Sequence, residues 1–215
     1  MKKLFCIIGL TGAGKSTFYN YIVKEMEKAD VDISPLIYHT TREKRKGEID
    51  GKDYYFVDRE EFFHLQEHTD IIEYRQYSTK NNRDVIYFTT KEDISLNGSN
   101  NLICTPSIEQ LESYIKWNIE DSSDKEFELY VIKIETNMKS RIMRILKNRC
   151  SNDNDILELC RRILQETKDW EIEEDVLSNI KPSNYIVIDN NKDSDFITNS
   201  KAIINYIETE INILE

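Results

Sequence analysis

The sequence predicts an α/β protein: a mostly parallel sheet flanked by helices. Three features predict it. Short apolar runs alternate with segments whose apolar residues recur at helical spacing. A glycine-rich loop joins the first apolar run to the first helix. The alternation breaks in one place, between about residues 40 and 90, as an insertion on such a core would make it break.

Taken in order, Lys3–Leu10 reads as a buried strand and Lys15–Ala29 as a helix, with Phe18, Ile22 and Met26 four apart. Ile33–Tyr38 and Asn101–Cys104 read as the second and third strands. Ile108–Trp117 follows as a helix, with Pro106 and Ser107 as start signals. Leu129–Glu135 is the fourth strand, Met138–Arg149 an arginine-rich amphipathic helix and Asp155–Trp170 another helix. Tyr185–Asp189 and Phe196–Leu214 close the chain as strand and helix. Strands joined through helices place both faces of a parallel sheet under cover. Trp117 and Trp170 are expected to pack on that sheet, and the run Glu171–Asp175 to be a solvated helix face.

The chain has 215 residues, enough for a core without disulfide or metal staples. Lys and Arg total 29 against 40 Asp and Glu, a formal charge of −11. That excludes a general affinity for nucleic-acid backbone, which needs a dominant basic face, but not a local basic pocket. No segment approaches the roughly 20 apolar residues of a membrane span. The opening MKKLFCIIGL runs straight into the glycine-rich loop, so it reads as a strand and not a signal peptide. Four cysteines without CxxC or Cys/His pairing read as reduced thiols of a cytoplasmic protein. Three scattered histidines make no zinc site.

The loop Gly9-Leu-Thr-Gly-Ala-Gly-Lys15-Ser16 matches G-x-x-x-x-G-K-[ST]. Glycines let the backbone wrap a phosphate with its N–H groups inward, and the following helix sets its N-terminus against the anion. The lysine reaches the β and γ phosphates and the hydroxyl ligates Mg²⁺. The triphosphate-binding set is therefore Gly9, Gly12, Ala13, Gly14, Lys15, Ser16 and Thr17, with Ser16 the metal ligand and Mg²⁺ the cofactor.

A second anion site is expected in the insertion. Arg42 and Arg45 lie three apart, with hydroxyls before them and tyrosines after. Arginine forks match phosphate oxygens in pairs. The run from Thr40 to Val57 also carries TTR-x-x-R-x-G-E-x-x-G-x-D-Y-x-F-V at every fixed position. With the phosphate loop upstream, this chain resembles the guanylate kinases. Element order follows that family along nearly the whole chain, and motif identity is strong through about residue 75.

The resemblance implies a P-loop NTPase-type core at about residues 1–38 and 91–215. A nucleoside-monophosphate-binding insertion would span about 39–90, and a lid about 149–156. It implies transfer of the ATP γ-phosphoryl group to GMP or dGMP. Arg42, Arg45 and Tyr54 would hold the acceptor phosphate, with Glu48 orienting the arginines. Glu73 would read guanine, because a carboxylate accepts from N1–H and the 2-amino group, and adenine offers neither donor. Tyr87 and Thr90 complete the GMP set. In the arginine cluster, Arg144, Arg149 and Arg162 best fit the family's lid arginines and join Lys15 as catalytic cations, with Arg141 and Arg161 as alternates.

The chain also departs from the family. Phe88 sits where a phosphate-binding tyrosine is usual, so either Tyr87 substitutes or that hydroxyl is lost, and Tyr38 stands where many members carry serine. The third strand reads Leu102-Ile-Cys-Thr-Pro-Ser107 in place of Asp-x-Asp. Mg²⁺ would then rely on Ser16, phosphates and waters, or on Glu135 or Asp189 through water. Glu73-Tyr-Arg-Gln-Tyr-Ser-Thr79 and Glu158-Leu-Cys-Arg-Arg162 resemble a divergent bacterial branch lacking those aspartates. A kinase for a different or modified purine monophosphate and a guanylate-kinase-like binding module without catalysis are the alternatives. The partners are small nucleotides, without nucleic acid or membrane, acting on a monomer or homodimer.

Overall fold

The computed structural model describes residues 1–68, 71–78, 84–95, 98–120, 127–150 and 152–212. Two sheets organise them. The core sheet runs β2 (Ser34–Pro35), β7 (Asn101–Cys104), β1 (Lys2–Ile8), β8 (Phe127–Glu135), β9 (Tyr185–Asp189), all pairs parallel. The second sheet lies in the insertion, with order β4 (Tyr55–Phe56), β3 (His39–Thr40), β6 (Asp84–Thr90), β5 (Ile71–Ser78). There β6 is antiparallel to both neighbours and β3 is parallel to β4.

Strand β1 is central because both its faces are apolar. Leu4, Cys6 and Ile8 pack on one side with α4 (Ile108–Glu120) and α7 (Glu173–Ser178). Phe5 and Ile7 pack on the other with α1 (Lys15–Lys28) and α8 (Phe196–Asn212). Phe18, Ile22 and Met26 form the buried stripe of α1. A smaller core under the second sheet holds Phe62 of α2 (Arg59–Glu67), Ile86 and Phe88. No helix among the described residues is long and apolar enough to cross a membrane.

The second strand is shorter than its apolar run suggests. Only Ser34 and Pro35 pair with β7, and Leu36 N–H adds one bond to the Ile103 carbonyl at 2.9 Å. Proline brings no N–H to a ladder, so it suits an edge, and His39–Thr40 leave for the second sheet. The expected connection after the arginine helix is also shorter. Helix α5 (Met138–Arg149) ends at Arg149, and α6 (Asp153–Asp169) is already capped by Asn152, whose side chain accepts from Asp155 N–H. Most of residues 149–156 is therefore helix, and Ser151 lies outside the described residues. Two short helices, α2 and α3 (Lys91–Ser95), have no counterpart in the periodicity reading, and α7 begins within the acidic run read as a helix face. Trp117 packs with Phe127 in the core. Glu173 is not a purely solvated residue: it ion-pairs with Lys133 at 2.5 Å.

Candidate functional site

The phosphate loop leaves the end of β1 and enters α1. Gly14 takes φ 106° just before the helix, and a side chain there would meet Asn190 Nδ2 at 2.9 Å. That neighbour is structural. Asn190 Nδ2 donates to the Ala13 carbonyl at 2.8 Å, and Thr136 Oγ1 donates to the same oxygen at 3.3 Å. Both residues are buried, so the loop is braced from the ends of β8 and β9. Lys15 Nζ donates to the Gly9 carbonyl across the loop. Ser16 and Thr17 stand exposed in the first turn of α1. The Asn190 and Thr136 braces had no local signal in the sequence.

Many motif positions between Thr40 and Val57 are held by bonds within the protein. Thr40 Oγ1 donates to the Ile86 carbonyl at 3.0 Å and accepts from Arg42 N–H at 3.2 Å. Thr41 Oγ1 accepts from Ile86 N–H at 2.9 Å. Asp53 accepts from Ile49 N–H at 2.7 Å. These bonds fasten the loop to β6 and to itself. Arg42 then makes a two-pronged contact with Glu48, Nη1 at 2.9 Å and Nη2 at 2.8 Å. Glu48 also accepts from Arg45 N–H at 2.7 Å. Arg42 holds the Glu48 carboxyl down to about 2, so it stays ionised. Arg42 Nε donates to Tyr87 Oη at 3.2 Å, and its guanidinium lies 5.4 Å from the centre of the Tyr54 ring. Arg42, Arg45, Tyr54 and Tyr87 all line one cleft. Alternation along β6 turns Tyr87 to the cleft and buries Phe88 fully.

Glu73 is buried on β5. Its Oε1 accepts from Thr89 Oγ1 and from Gln110 Nε2, both at 2.9 Å. Its Oε2 is buried with no hydrogen-bond partner among the described residues. Burial pushes this carboxyl above the usual range, opposed by the Gln110 and Thr89 bonds. Glu73 lines a recess of about 470 Å³ that shares Arg75 and Gln110 with the main cleft. Thr90, expected beside the base, is turned the other way: it donates to Asp93 at the start of α3. Thr89 takes the place beside Glu73. Gln110 was missed as a site residue, although Pro106-Ser-Ile-Glu-Gln110 carries its signal. Ser107 and Gln110 form a reciprocal cap, with Ser107 N–H donating to Gln110 Oε1 at 2.9 Å. That fixes the amide so that Nε2 faces Glu73.

Helix α6 closes the opposite wall. Glu158, Arg161, Arg162, Gln165, Glu166 and Asp169 line the cleft. Glu158 accepts from Arg161 and Arg162 at 2.8–2.9 Å, and Arg161 and Arg162 hold it down to about 2. Arg75 of β5 ion-pairs with Glu109 and lies 3.8 Å from Asp169, tying insertion, core and α6 together. Arg144 is not brought to the cleft: it pairs with Asp193 at 2.8 Å and donates to the Asn190 carbonyl at 2.8 Å. The Arg149 side chain lies outside the described residues. Among the described residues no group of three or more His, Cys, Asp or Glu could hold a metal ion. A lone hydroxyl at Ser16 fits a hydrated Mg²⁺ whose other ligands are phosphates and waters.

The five-stranded parallel sheet, the glycine-rich loop at the end of its central strand and the arginine-lined cleft above it define a phosphate-loop α/β protein. The family model described as guanylate kinase matches residues 1–179. The chain belongs to the guanylate kinase family. A guanylate kinase of Pseudomonas fluorescens (strain Pf0-1) is 46% identical over 70 residues, 33% of this chain and 32% of that relative. One from Blochmanniella floridana is 35% identical over 106 residues, 45% of this chain and 50% of that relative. The chain thus spans about a third to a half of the length of these curated relatives. The crystal structure of guanylate kinase from Anaplasma phagocytophilum shares the fold with a TM-score of 0.59 at 20% identity, covering 98% of this chain and 87% of that one.

Proposed function

We propose that this chain is a nucleoside monophosphate kinase that transfers the γ-phosphoryl group of ATP to GMP or dGMP. The observation that carries the reading is a single cleft of about 1120 Å³. Of the phosphate loop Thr11 lines it, the Arg42–Arg45–Tyr54–Tyr87 anion site forms a second wall, and the arginines of α6 form a third. Two anion sites facing each other suit in-line transfer between two phosphates, which a hydrolase would not need.

The acceptor phosphate is already ionised, so no side chain has to serve as a base. Arg42, oriented by Glu48, and Arg45 hold the acceptor oxygens. Lys15 bridges the donor phosphates, and Arg161 and Arg162 meet the charge that spreads over the moving group. Arg144 and Arg149 stay in this reading as residues of the arginine helix, Arg144 acting through the 190–193 loop. Mg²⁺ held by Ser16 would neutralise charge on the donor phosphates. Glu73 offers Oε2, which has no hydrogen-bond partner among the described residues, to the guanine donors. Closure of the insertion and α6 over the cleft would exclude water. With such substrates the protein acts in the cytoplasm, as a monomer or homodimer.

The test is ADP release from ATP and Mg²⁺ across AMP, GMP, dGMP, IMP, UMP, CMP and dTMP, with Lys15→Met as control. Turnover with GMP or dGMP, lost in the control, is the expected result. Turnover only with another acceptor overturns the guanine assignment. Nucleotide binding without any turnover overturns the kinase.

A further inference from the structure

The phosphate loop is engaged by an anion of the chain itself. Thr11 N–H donates to both carboxylate oxygens of Glu166, at 2.7 and 2.9 Å. The same carboxylate lies 3.6 Å from Nη1 of Arg141. That Nη1 also donates to the Thr11 carbonyl at 3.2 Å. Arg141 is only 5% exposed, and its Nε is buried with no hydrogen-bond partner among the described residues. A buried guanidinium whose donors are not all used is costly unless an anion sits against it. Three elements far apart in sequence thus converge on one point: the loop after β1, helix α5 and helix α6.

The position of that point gives it a meaning. Thr11 and Glu166 line the cleft that Arg42 and Arg45 line from the acceptor side. A phosphoryl group passing in line between loop and acceptor lies between these two walls. The Thr11 N–H is therefore on the side of the loop that the terminal phosphate of a donor would meet. Carboxylate and phosphate oxygens are both anionic acceptors, and they compete for the same N–H and the same guanidinium.

We propose that Thr11 N–H and the Arg141 guanidinium form an anion subsite for the terminal phosphate of a nucleoside triphosphate, and that Glu166 is its gate. This rests on the triphosphate-binding reading above. The Glu166 side chain must withdraw for the terminal phosphate to enter, while Arg161 and Arg162 stay at the cleft on α6. A diphosphate does not reach the subsite and leaves Glu166 in place. The pair makes the site sense the length of the phosphate chain, and lets the gate return once the terminal group has been transferred.

The test is calorimetric binding of ATPγS and of ADP, each with Mg²⁺, to wild type, Glu166→Ala, Glu166→Gln and the double variant Arg141→Met/Glu166→Ala. Freed of one charge-assisted competitor, Glu166→Ala should bind ATPγS on the order of tenfold more tightly. Its ADP affinity should stay within about twofold, since diphosphate leaves the subsite untouched. Glu166→Gln keeps an acceptor for Thr11 without the charge, and should fall between wild type and Glu166→Ala for ATPγS alone. The double variant should lose most of the gain, because the cation that captures the phosphate is gone. Circular dichroism checks folding. If Glu166→Ala does not fold, Glu166→Gln decides by the same ATPγS-to-ADP comparison. Unchanged or weaker ATPγS binding, or equal shifts for both nucleotides, makes Glu166 a brace of the loop and overturns the proposal. Turnover of wild type with GMP is measured apart: its absence would remove the kinase reading and leave the binding comparison standing.

Discussion

Replacing Glu73 by glutamine changes the proposed base-reading acceptor into a donor almost without changing shape. Oε1 is committed to two donors, Thr89 Oγ1 and Gln110 Nε2, both at 2.9 Å. A glutamine at this position keeps those bonds only by placing its oxygen there. Its –NH₂ then takes the place of Oε2, the atom left for the base. Against guanine this sets donor against donor. The loss is one charge-assisted bond of about 1.5–3 kcal/mol, plus about 1–3 kcal/mol for a buried donor left unpaired. Taking about 3–4 kcal/mol together, kcat/KM for GMP should fall on the order of 10²–10³-fold. Adenine offers an acceptor at N1, so AMP should not share the loss. The assay is ADP release with GMP and AMP at saturating ATP, read as the ratio of the two kcat/KM values. A parallel change for both acceptors, or an unchanged ratio in a folded variant, would refute Glu73 as the base reader.

Other consequences follow from the same contacts. Because burial raises the folded-state carboxyl of Glu73, its ionisation works against folding. Wild type should therefore lose stability relative to Glu73→Gln as pH rises through that raised value, and the two should converge below the ordinary carboxylate range, which urea unfolding across pH will read. Gly12→Ala forces alanine to φ +80° with its Cβ 2.8 Å from the Arg141 carbonyl. The left-handed backbone alone costs about 1–2 kcal/mol, so thermal denaturation should show at least that loss, and ATP binding should weaken. Asn190→Ala removes the 2.8 Å bond to the Ala13 carbonyl. A buried bond of this kind is worth about 1–3 kcal/mol, so stability should drop by that order and KM for ATP should rise more than KM for GMP. Tyr87→Phe deletes the hydroxyl that meets Arg42. Losing a bond from the charged guanidinium predicts a KM for GMP on the order of tenfold higher with little change in KM for ATP.

The recognisable parts of the site are those whose residues are neighbours in sequence. A phosphate loop must keep its glycines, lysine and hydroxyl within eight positions, because one turn of backbone wraps one phosphate. The acceptor loop likewise spells itself out between Thr40 and Val57, and most of its fixed positions proved to be fasteners: Thr40 and Thr41 on β6, Asp53 on Ile49, Glu48 on Arg42. Period-3.6 apolar spacing marked α1 and the central apolar runs marked β1 and β8, since burial on one stripe or on both faces leaves a local pattern.

What the pattern did not carry lies in two kinds of decision. The first is a one-residue phase. Phe88 against Tyr87 and Thr89 against Thr90 are settled by which face of β6 meets the cleft, and alternation makes a single step invert the answer. The second is contact between distant segments. Asn190 reaches Ala13, Gln110 reaches Glu73, and Glu166 and Arg141 reach Thr11, each across tens of residues or more. Arg144 is the converse case: an arginine in the expected cluster whose helix face turns it to Asp193, away from the cleft. By itself the sequence determined the phosphate loop, the acceptor loop and the α/β core, because each is a local geometric requirement. Which side chains line the cleft and the recess beside Glu73 was decided only by the packing of helices and sheets, because those groups become neighbours only when the chain folds.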